Sequence, residues 1–456
     1  MLESAHQAET VDVIVVGAGV AGLAAAHHLT RAGLSVTVLE ADPAVGGRMT
    51  TEKVDGFRLD RTAPILSTAY PELRGLPALD SLPLRPFSPT VLLHADGRLH
   101  RADTTPTPAR IPRGALTAVR ALASAPRIPR AQGAPRTPRP GPLGTLADQS
   151  RLATALTRLA ATSPADLLAR AELPTAQSLL AQGFPARTVD GFLRPLLTAL
   201  LSGPALLTSS RCADLALYSF AAGRLCLSEG GADTLPELLA ATLPPGTVRT
   251  GVRVTSLSIT SVTTADHGEL PCRAVVSATG ARAAAELLPG LRVPAFHPVT
   301  VLHHATEEPP LTEPSLLLDS DRSGPVSHTA VVSQVDPSRA PTGRALISST
   351  VLGTPPDPAH LDATVRTQLS RLYGTSTNRW ELLAVHHDPE AVPATPAPHD
   401  LRRPVRMLAG LYVCGDHRGS GTVQGALHSA RRAAHAVLTD LGARPTLREE
   451  PLETAA

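Results

Sequence analysis

Residues 11–40 read VDVIVVGAGVAGLAAAHHLTRAGLSVTVLE, and no other stretch limits the fold of this chain so tightly. An apolar strand, Val11 to Val16, turns on Gly17-Ala18-Gly19-Val20-Ala21-Gly22. An alanine-rich helix follows, then a second strand, Ser35 to Leu39, that ends on Glu40. Each part has a mechanical reason. Gly17 permits the tight turn, Gly19 lets the backbone approach a pyrophosphate, and Gly22 lets the helix pack close to the sheet. The unpaired N–H groups of the first helical turn, at Val20, Ala21 and Gly22, then point at the phosphates. Glu40 stands where a carboxylate accepts both hydroxyls of an adenosine ribose, and it would repel a 2′-phosphate there. A lone G-x-G-x-x-G recurs by chance in a chain with 34 glycines. Here strand, helix and distal acid all fall in place, so the run predicts a dinucleotide site in an α/β fold.

Composition removes several other classes. A chain of 456 residues can bury two or three substantial cores. Its net charge of +2 leaves no footprint for a nucleic acid. No uncharged apolar run is long enough for a membrane-spanning helix. The opening MLESAHQAET carries acids and lacks an apolar signal region, so a cytoplasmic protein is expected. The four cysteines, Cys212, Cys226, Cys272 and Cys414, are widely spaced and read as packed free thiols. The 17 histidines form no zinc-type spacing, and no metal is expected. Lysine occurs only at Lys53, and aromatic residues make up 2% of the chain, so a large apolar pocket must be lined by Leu, Val, Ala and Met.

Further along, Gly56 to Asp60 reads as a short strand leaving the nucleotide site. Thr90 to Arg98 alternates as a hairpin turning at Asp96-Gly97. Residues 101–145 hold eight arginines against one acid, broken by prolines. That stretch reads as a solvent-facing excursion or lid, with peripheral contact to an anionic membrane or acidic partner, or an acidic substrate funnel, as alternatives. Residues 146–215 look helical, with Leu146, Leu152, Leu156 and Leu159 on one face and a second helix from Ala165 after Ser163-Pro164. Tyr218 to Cys226 reads as a strand, and a helix carrying Leu235, Leu238 and Leu239 follows Gly230-Gly231. Val248 to Thr263 alternates, and Ala274 to Ala278 is a buried parallel-type strand. Pro294 to His304 and Arg344 to Leu352 read as strands of a second sheet, and Asp362 to Tyr373 as an amphipathic helix. His386-His387, ahead of the proline-rich 389–404 segment, reads as a charged solvent-facing loop, with one histidine facing substrate as the alternative. Leu411 to Cys414, then Gly415-Asp416, then a helix from Val423 repeats the strand–glycine–helix logic of the N-terminus. The order predicts a Rossmann-like nucleotide domain assembled from separated segments, 1–80, 218–290 and 401–456. An α+β substrate domain, mixed sheet plus helices, is inserted as 81–217 and 291–400.

With these pieces in place, the chain resembles the flavin-containing amine oxidase superfamily, especially its phytoene-desaturase-like and protoporphyrinogen-oxidase-like branch. The likeness runs nearly the whole length and is strongest at both ends. It rests on Gly17 to Glu40 with Gly46-Gly47-Arg48, on Glu229-Gly230-Gly231 with Leu235-Pro236, and on Gly415-Asp416 leading into Thr422-Val423-Gln424-Gly425-Ala426. The resemblance implies non-covalent FAD. Glu40-Ala41 and Val252 would hold the adenosine, Gly47 and Arg48 the pyrophosphate and flavin edge, and Gly415-Asp416 the ribityl–phosphate. The helix start at Thr422, Val423 and Gln424 would aim its dipole at the flavin C2 carbonyl.

The chain departs from that pattern in lacking a substrate-domain lysine and in its scarce aromatics, with Trp380 and Tyr412 the late candidates for a cage and Tyr412 read as a strand residue. Thr62 stands where relatives keep a glycine near the flavin. His417-Arg418 follows Gly415-Asp416, and His417 is the best acid–base candidate, a purely structural role being the alternative. His387 is a further candidate. The implied reaction removes hydride from a C–H bond of a largely apolar small molecule, forming C=C or C=N, with dioxygen or a quinone as electron acceptor and a monomer or homodimer as the enzyme. Three rivals stand beside it: an amine or amino-acid oxidase lacking the usual lysine, a redox-neutral isomerase or cyclase, and a non-catalytic flavin-binding partner protein.

Overall fold

The computed structural model describes residues 11–103 and 141–443. Two sheets organise them. The first has eight strands around Val11–Val16, which pairs in parallel with Val36–Leu39 on one side and Gly268–Ser277 on the other. Val248–Arg249 extends one edge, and Leu411–Val413 pairs in parallel with Gly268–Ser277. An antiparallel meander, Val254–Leu257 and Ser261–Thr264, completes that side. The apolar run predicted at 274–278 is thus a central strand covered on both faces, which its near-continuous hydrophobicity requires. The first helix, Val20–Arg31, packs on the last, Val423–Asp440. Ala24, Ala25 and Ala26 meet Ala430, Ala433 and Ala434 in one core, where small side chains allow close approach.

The second sheet has seven strands in the order Glu381–Pro393, Phe296–Thr306, Ala345–Leu352, Val326–Val331, Leu317–Asp319, Thr90–Ala95, Arg98–Asp103. All neighbours are antiparallel except Leu317–Asp319 with Thr90–Ala95. One face packs on helix Leu361–Tyr373 through Val365, Leu369 and Leu372. The other meets a helical module between residues 146 and 222 and the hairpin of Thr51–Val54 with Phe57–Asp60. Separated segments therefore share the first sheet, and an α+β unit is inserted between them.

Several expectations change. Tyr218 lies inside helix Ser210–Ala222, and the strand begins only at Leu225. The reason is a buried helical stripe, Ala213, Leu217, Phe220 and Ala221, spaced by threes and fours. The 381–393 stretch, including His386-His387, is a 13-residue edge strand rather than a loop. Its prolines sit where an edge tolerates a missing donor. In helix Leu146–Ala161, Leu152 and Leu159 are buried, whereas Leu146 is 59% exposed in the first turn beyond the Thr145 cap. Most of the arginine-rich 101–145 stretch, residues 104–140, lies outside the described residues. Among the described residues no helix is long and apolar enough to cross a membrane.

Candidate functional site

The glycine turn has the shape that a pyrophosphate needs. A Cβ on Gly22 would lie 1.9 Å from the Gly17 carbonyl oxygen, so this glycine is forced by close packing of helix on turn. Gly17 is at φ +103 with its back against Ala278 and Thr279. Gly19 is different: a Cβ there would meet nothing within 4 Å, so its bare backbone faces open space. Gly19 is also the helix N-cap, and no side chain caps the helix, which leaves the N–H groups of Val20 and Ala21 for a ligand. Gly46 pairs with Gly19, and Gly47 lies across from it at φ +58. Glu40 is fixed by two backbone donors, Ala18 N–H to Oε2 at 2.7 Å and Asp42 N–H to Oε1 at 2.9 Å, and Ala41 lies between. Val252 is buried nearby, and its N–H is already engaged by the Glu40 carbonyl at 2.7 Å.

Arg48 and Asp416, which follow the second and last glycine turns, form a bidentate pair with both N–O distances 2.7 Å. Arg48 Nη1 also donates to the Ala391 carbonyl at 2.7 Å, which ties the pair to the edge strand of the second sheet. Burial raises the Asp416 carboxyl, but the Arg48 guanidinium outweighs it and holds the group below the usual carboxylate range. For Arg48, burial opposes the charge while Asp416, then Asp388 and Glu390, more than compensate. Such two-pronged, charge-assisted pairing fixes a geometry as well as a charge. Thr62 Oγ1 donates to the Arg48 carbonyl at 2.9 Å, and the next residue, Ala63, holds a left-handed φ of +44. Ala63 packs in a small, largely buried apolar cluster with Val299, Val301, Leu352, Ala391 and Val392.

His417 is buried beside the pair, with Nδ1 4.0 Å from Asp416 Oδ1. Both ring nitrogens are buried without a hydrogen-bond partner. Burial pushes its pKa down to about 4, so at neutral pH it is an uncharged imidazole. A Cβ on Gly415, at φ +143, would strike its ring, so the glycine makes room for the histidine. Arg418 donates to the Pro404 carbonyl, and burial together with Arg403 and Arg432 lowers its pKa. Thr422 caps the last helix by accepting from Gly425 N–H at 3.2 Å, which leaves Val423 and Gln424 in its first turn. The Gln424 side chain turns away to accept the Glu72 N–H at 3.2 Å, so only its backbone belongs to the helix end.

Two candidates leave the site. Trp380 is a core residue under helix Leu361–Tyr373, packed on His304 and Tyr373 at centroid distances of 5.9 and 5.8 Å. His387 is exposed and bonded to Thr300 Oγ1 at 2.8 Å. Adjacent strand residues point to opposite faces. Its neighbour His386 faces inward instead, 5.6 Å from His303 and 3.6 Å from Glu52. Tyr412 is a fully buried strand residue whose hydroxyl meets Asp440. Sequence reasoning missed Ala391, whose carbonyl accepts from Arg48, and the pairing of His297 with its neighbour Val392, which long-range strand register alone creates.

The residues fit a bound flavin dinucleotide on two observations of shape and donors: open space over Gly19 and an uncapped helix, and the unpartnered nitrogens of buried His417. All four cysteines are buried thiols in the fold.

Comparison with known proteins agrees. The model of the flavin containing amine oxidoreductase family matches residues 20–438. Protoporphyrinogen oxidase 2 of Arabidopsis thaliana is 48% identical over 83 residues, 18% of this chain and 16% of that protein. Putrescine oxidase of Kocuria rosea is 41% identical over 113 residues, 24% of this chain and 22% of that enzyme. The matched stretches thus span under a quarter of either relative. An oxidoreductase structure from Methanosarcina mazei has the same fold, with TM-score 0.70 at 18% identity, over 93% of this chain and 100% of the other. The chain belongs to the flavin-containing amine oxidoreductase family, FAD-dependent oxidoreductases.

Proposed function

We propose that the protein oxidises a C–H bond of a largely apolar small molecule by two electrons, leaving a C=C or C=N bond, with dioxygen or a quinone taking the electrons afterwards. The observation that carries this reading is the apolar cluster of Ala63, Val299, Val301, Ala391 and Val392, tied to the Arg48–Asp416 pair through the Ala391 carbonyl. Gly19 with the first helix would hold the pyrophosphate, Glu40 the adenosine ribose, and Arg48 with Asp416 the region between phosphate and flavin. Bound FAD supplies the hydride acceptor, and the protein supplies placement and electrostatics. A substrate lying against that cluster would be oriented by shape rather than by charge. The Arg48–Asp416 pair is internally neutral, so it adds little net field to the cleft. His417 stays unprotonated at neutral pH and offers ring nitrogens for a hydrogen bond. It is a poor proton store, because its conjugate acid forms only near pH 4.

The experiment is anaerobic mixing of the yellow protein with NADH, with NADPH, and with organic donors ranging from putrescine to cyclohexylamine and apolar alkenes, following the visible flavin band. Bleaching by an apolar donor and none by the nicotinamides is the expected result. Rapid bleaching by NADH or NADPH would overturn the reading in favour of a reductase, a monooxygenase or an isomerase that needs reduced flavin.

A further inference from the structure

One histidine outside every motif stands where three parts of the molecule meet. His297 is the second residue of strand Phe296–Thr306, half-buried at the open end of a strand that is otherwise buried from Val299 onward. The pairing with Glu381–Pro393 is irregular there: His297 faces Val392, yet Val299 already faces Asp388. Such a bulge re-aims the side chains beside it. Val392 touches the position of Gly421 in the C-terminal nucleotide segment, and its neighbour Ala391 holds Arg48. From the helical module comes Gly203, where an added Cβ would lie 3.6 Å from His297 Nε2 and 2.8 Å from Thr208 Oγ1. The ring tip therefore looks across bare glycine backbone, in a corner that a larger residue would fill.

His297 has no hydrogen bond or ion pair among the described residues, unlike His303, His304 and His399, whose rings are all engaged. Its pKa is lowered by burial alone, with no carboxylate or guanidinium contributing. A half-buried neutral imidazole without a partner loses hydration and gains nothing from the protein. That deficit is repaired if a ligand brings the missing donor. The cluster packed beside strand partner Val392 is aliphatic, and the Thr208 hydroxyl faces the same Gly203 corner as the ring.

We propose that His297 is a polar contact for the substrate: Nε2 accepts a hydrogen bond from the substrate's own N–H or O–H group and takes that proton as the adjacent C–H bond is oxidised. This rests on the oxidation reading above. The C–H pair leaves as hydride to the bound flavin, the X–H pair becomes the π bond of C=X, and the proton passes by way of Nε2 to water at the half-buried ring. The same desolvation that keeps the imidazole neutral also makes a bound ammonium readier to give up its proton.

The test uses FAD-loaded full-length protein with isotope-labelled histidine. His297→Asn identifies the imidazole resonance by its disappearance, and His297→Gln replaces it if that variant does not load FAD. The wild-type resonance is expected to titrate below the ordinary histidine range and to shift on adding cyclohexylamine anaerobically, while methylcyclohexane leaves it in place. In flavin reduction by the donor found above, His297→Asn is expected to be slower by about 10²-fold and to lose the acidic limb of the pH profile. A resonance unmoved by cyclohexylamine overturns the contact. An unchanged rate and pH limb in the variant overturns the proton step. If no organic donor bleaches the flavin, the oxidation reading and the proton step fail together, and the resonance shift still decides the contact.

Discussion

The nucleotide end and the joint between the two sheets solve opposite problems. Around the first turn the chain works by leaving side chains out. Gly17, Gly19 and Gly22 clear space, and alanines draw the first and last helices together. At the joint the chain instead buries full charges. Arg339 and Asp60 pair at 2.7 Å with side chains 1% and 5% exposed. Asp60 also accepts from Thr51 Oγ1 and Ala232 N–H, and Arg339 donates to the Arg58 carbonyl. Asp336 holds Gly230 N–H, and His303 bridges the Asp60 carbonyl and Ser348. A phosphate site needs room and free backbone, which glycine provides. A joint that sets the angle between two sheets needs directional bonds away from water, where each bond is strong and each omission costly.

The largest effect should come from unbalancing that joint. Arg339→Met leaves the Asp60 carboxylate buried and unpaired, for an expected loss of about 3–5 kcal/mol in denaturant unfolding. Adding Asp60→Asn removes the stranded charge and should recover much of the loss, because well-packed neutral groups often replace a buried pair at little cost. A single variant within about 0.5 kcal/mol of wild type, the range of an ordinary surface change, would show that the joint is held by apolar packing instead.

Acid should find both regions at once. Burial pushes His28 and His417 near the nucleotide end, and His303 and His328 in the second sheet, each down to about 4 from an ordinary value of 6.5. As pH falls below the ordinary value, the unfolded chain takes up protons that the folded chain refuses. The stability they contribute is therefore complete above pH 6.5 and is lost on the way down to about pH 4. Each histidine contributes a slope of about 1.4 kcal/mol per pH unit across that window. Melting temperature is expected to drop steeply over it, and His303→Gln to flatten the slope by one proton's worth. An unchanged slope in that variant would mean His303 protonates without leaving the fold.

What could be read from the chain divides along the same line. The turn, helix and acid of residues 17–40, and the echo at 415–423, are local: each needs neighbours within a few positions, so spacing alone exposes them. The second sheet was legible as strands at 296–306 and 345–352 because those are apolar and β-branched. The edge strand 381–393 was hidden by its charges and prolines, which an edge permits and a pattern search penalises. Trp380 looked like cage material because it is the single tryptophan, yet its place is set by helix Leu361–Tyr373, far along the chain from His304. His297 had no signal at all. Its environment comes from Gly203 and Val392, residues roughly a hundred positions away on either side, and no local pattern encodes that meeting.

The smallest effect on stability is the sharpest on function, and it lies between two glycines three residues apart. Gly19 has φ −72 and ψ 175, an extended conformation open to any residue, and a Cβ there meets nothing within 4 Å. Gly19→Ala should therefore leave the apo fold intact and even stabilise it by about 0.4–1 kcal/mol, because alanine has less freedom to lose on folding. The added methyl would stand in the space that the pyrophosphate needs, so FAD content after purification should fall, read from the ratio of flavin to protein absorbance. Gly22→Ala is the counterpart. Its methyl would lie 1.9 Å from the Gly17 carbonyl oxygen, so turn or helix must move and apo stability must fall. If Gly19→Ala retained full FAD, the open space above that turn would not be where the pyrophosphate lies. If it instead destabilised the apo protein as much as Gly22→Ala, the turn would be a packing device at both positions, and its contrast with the charged joint would vanish.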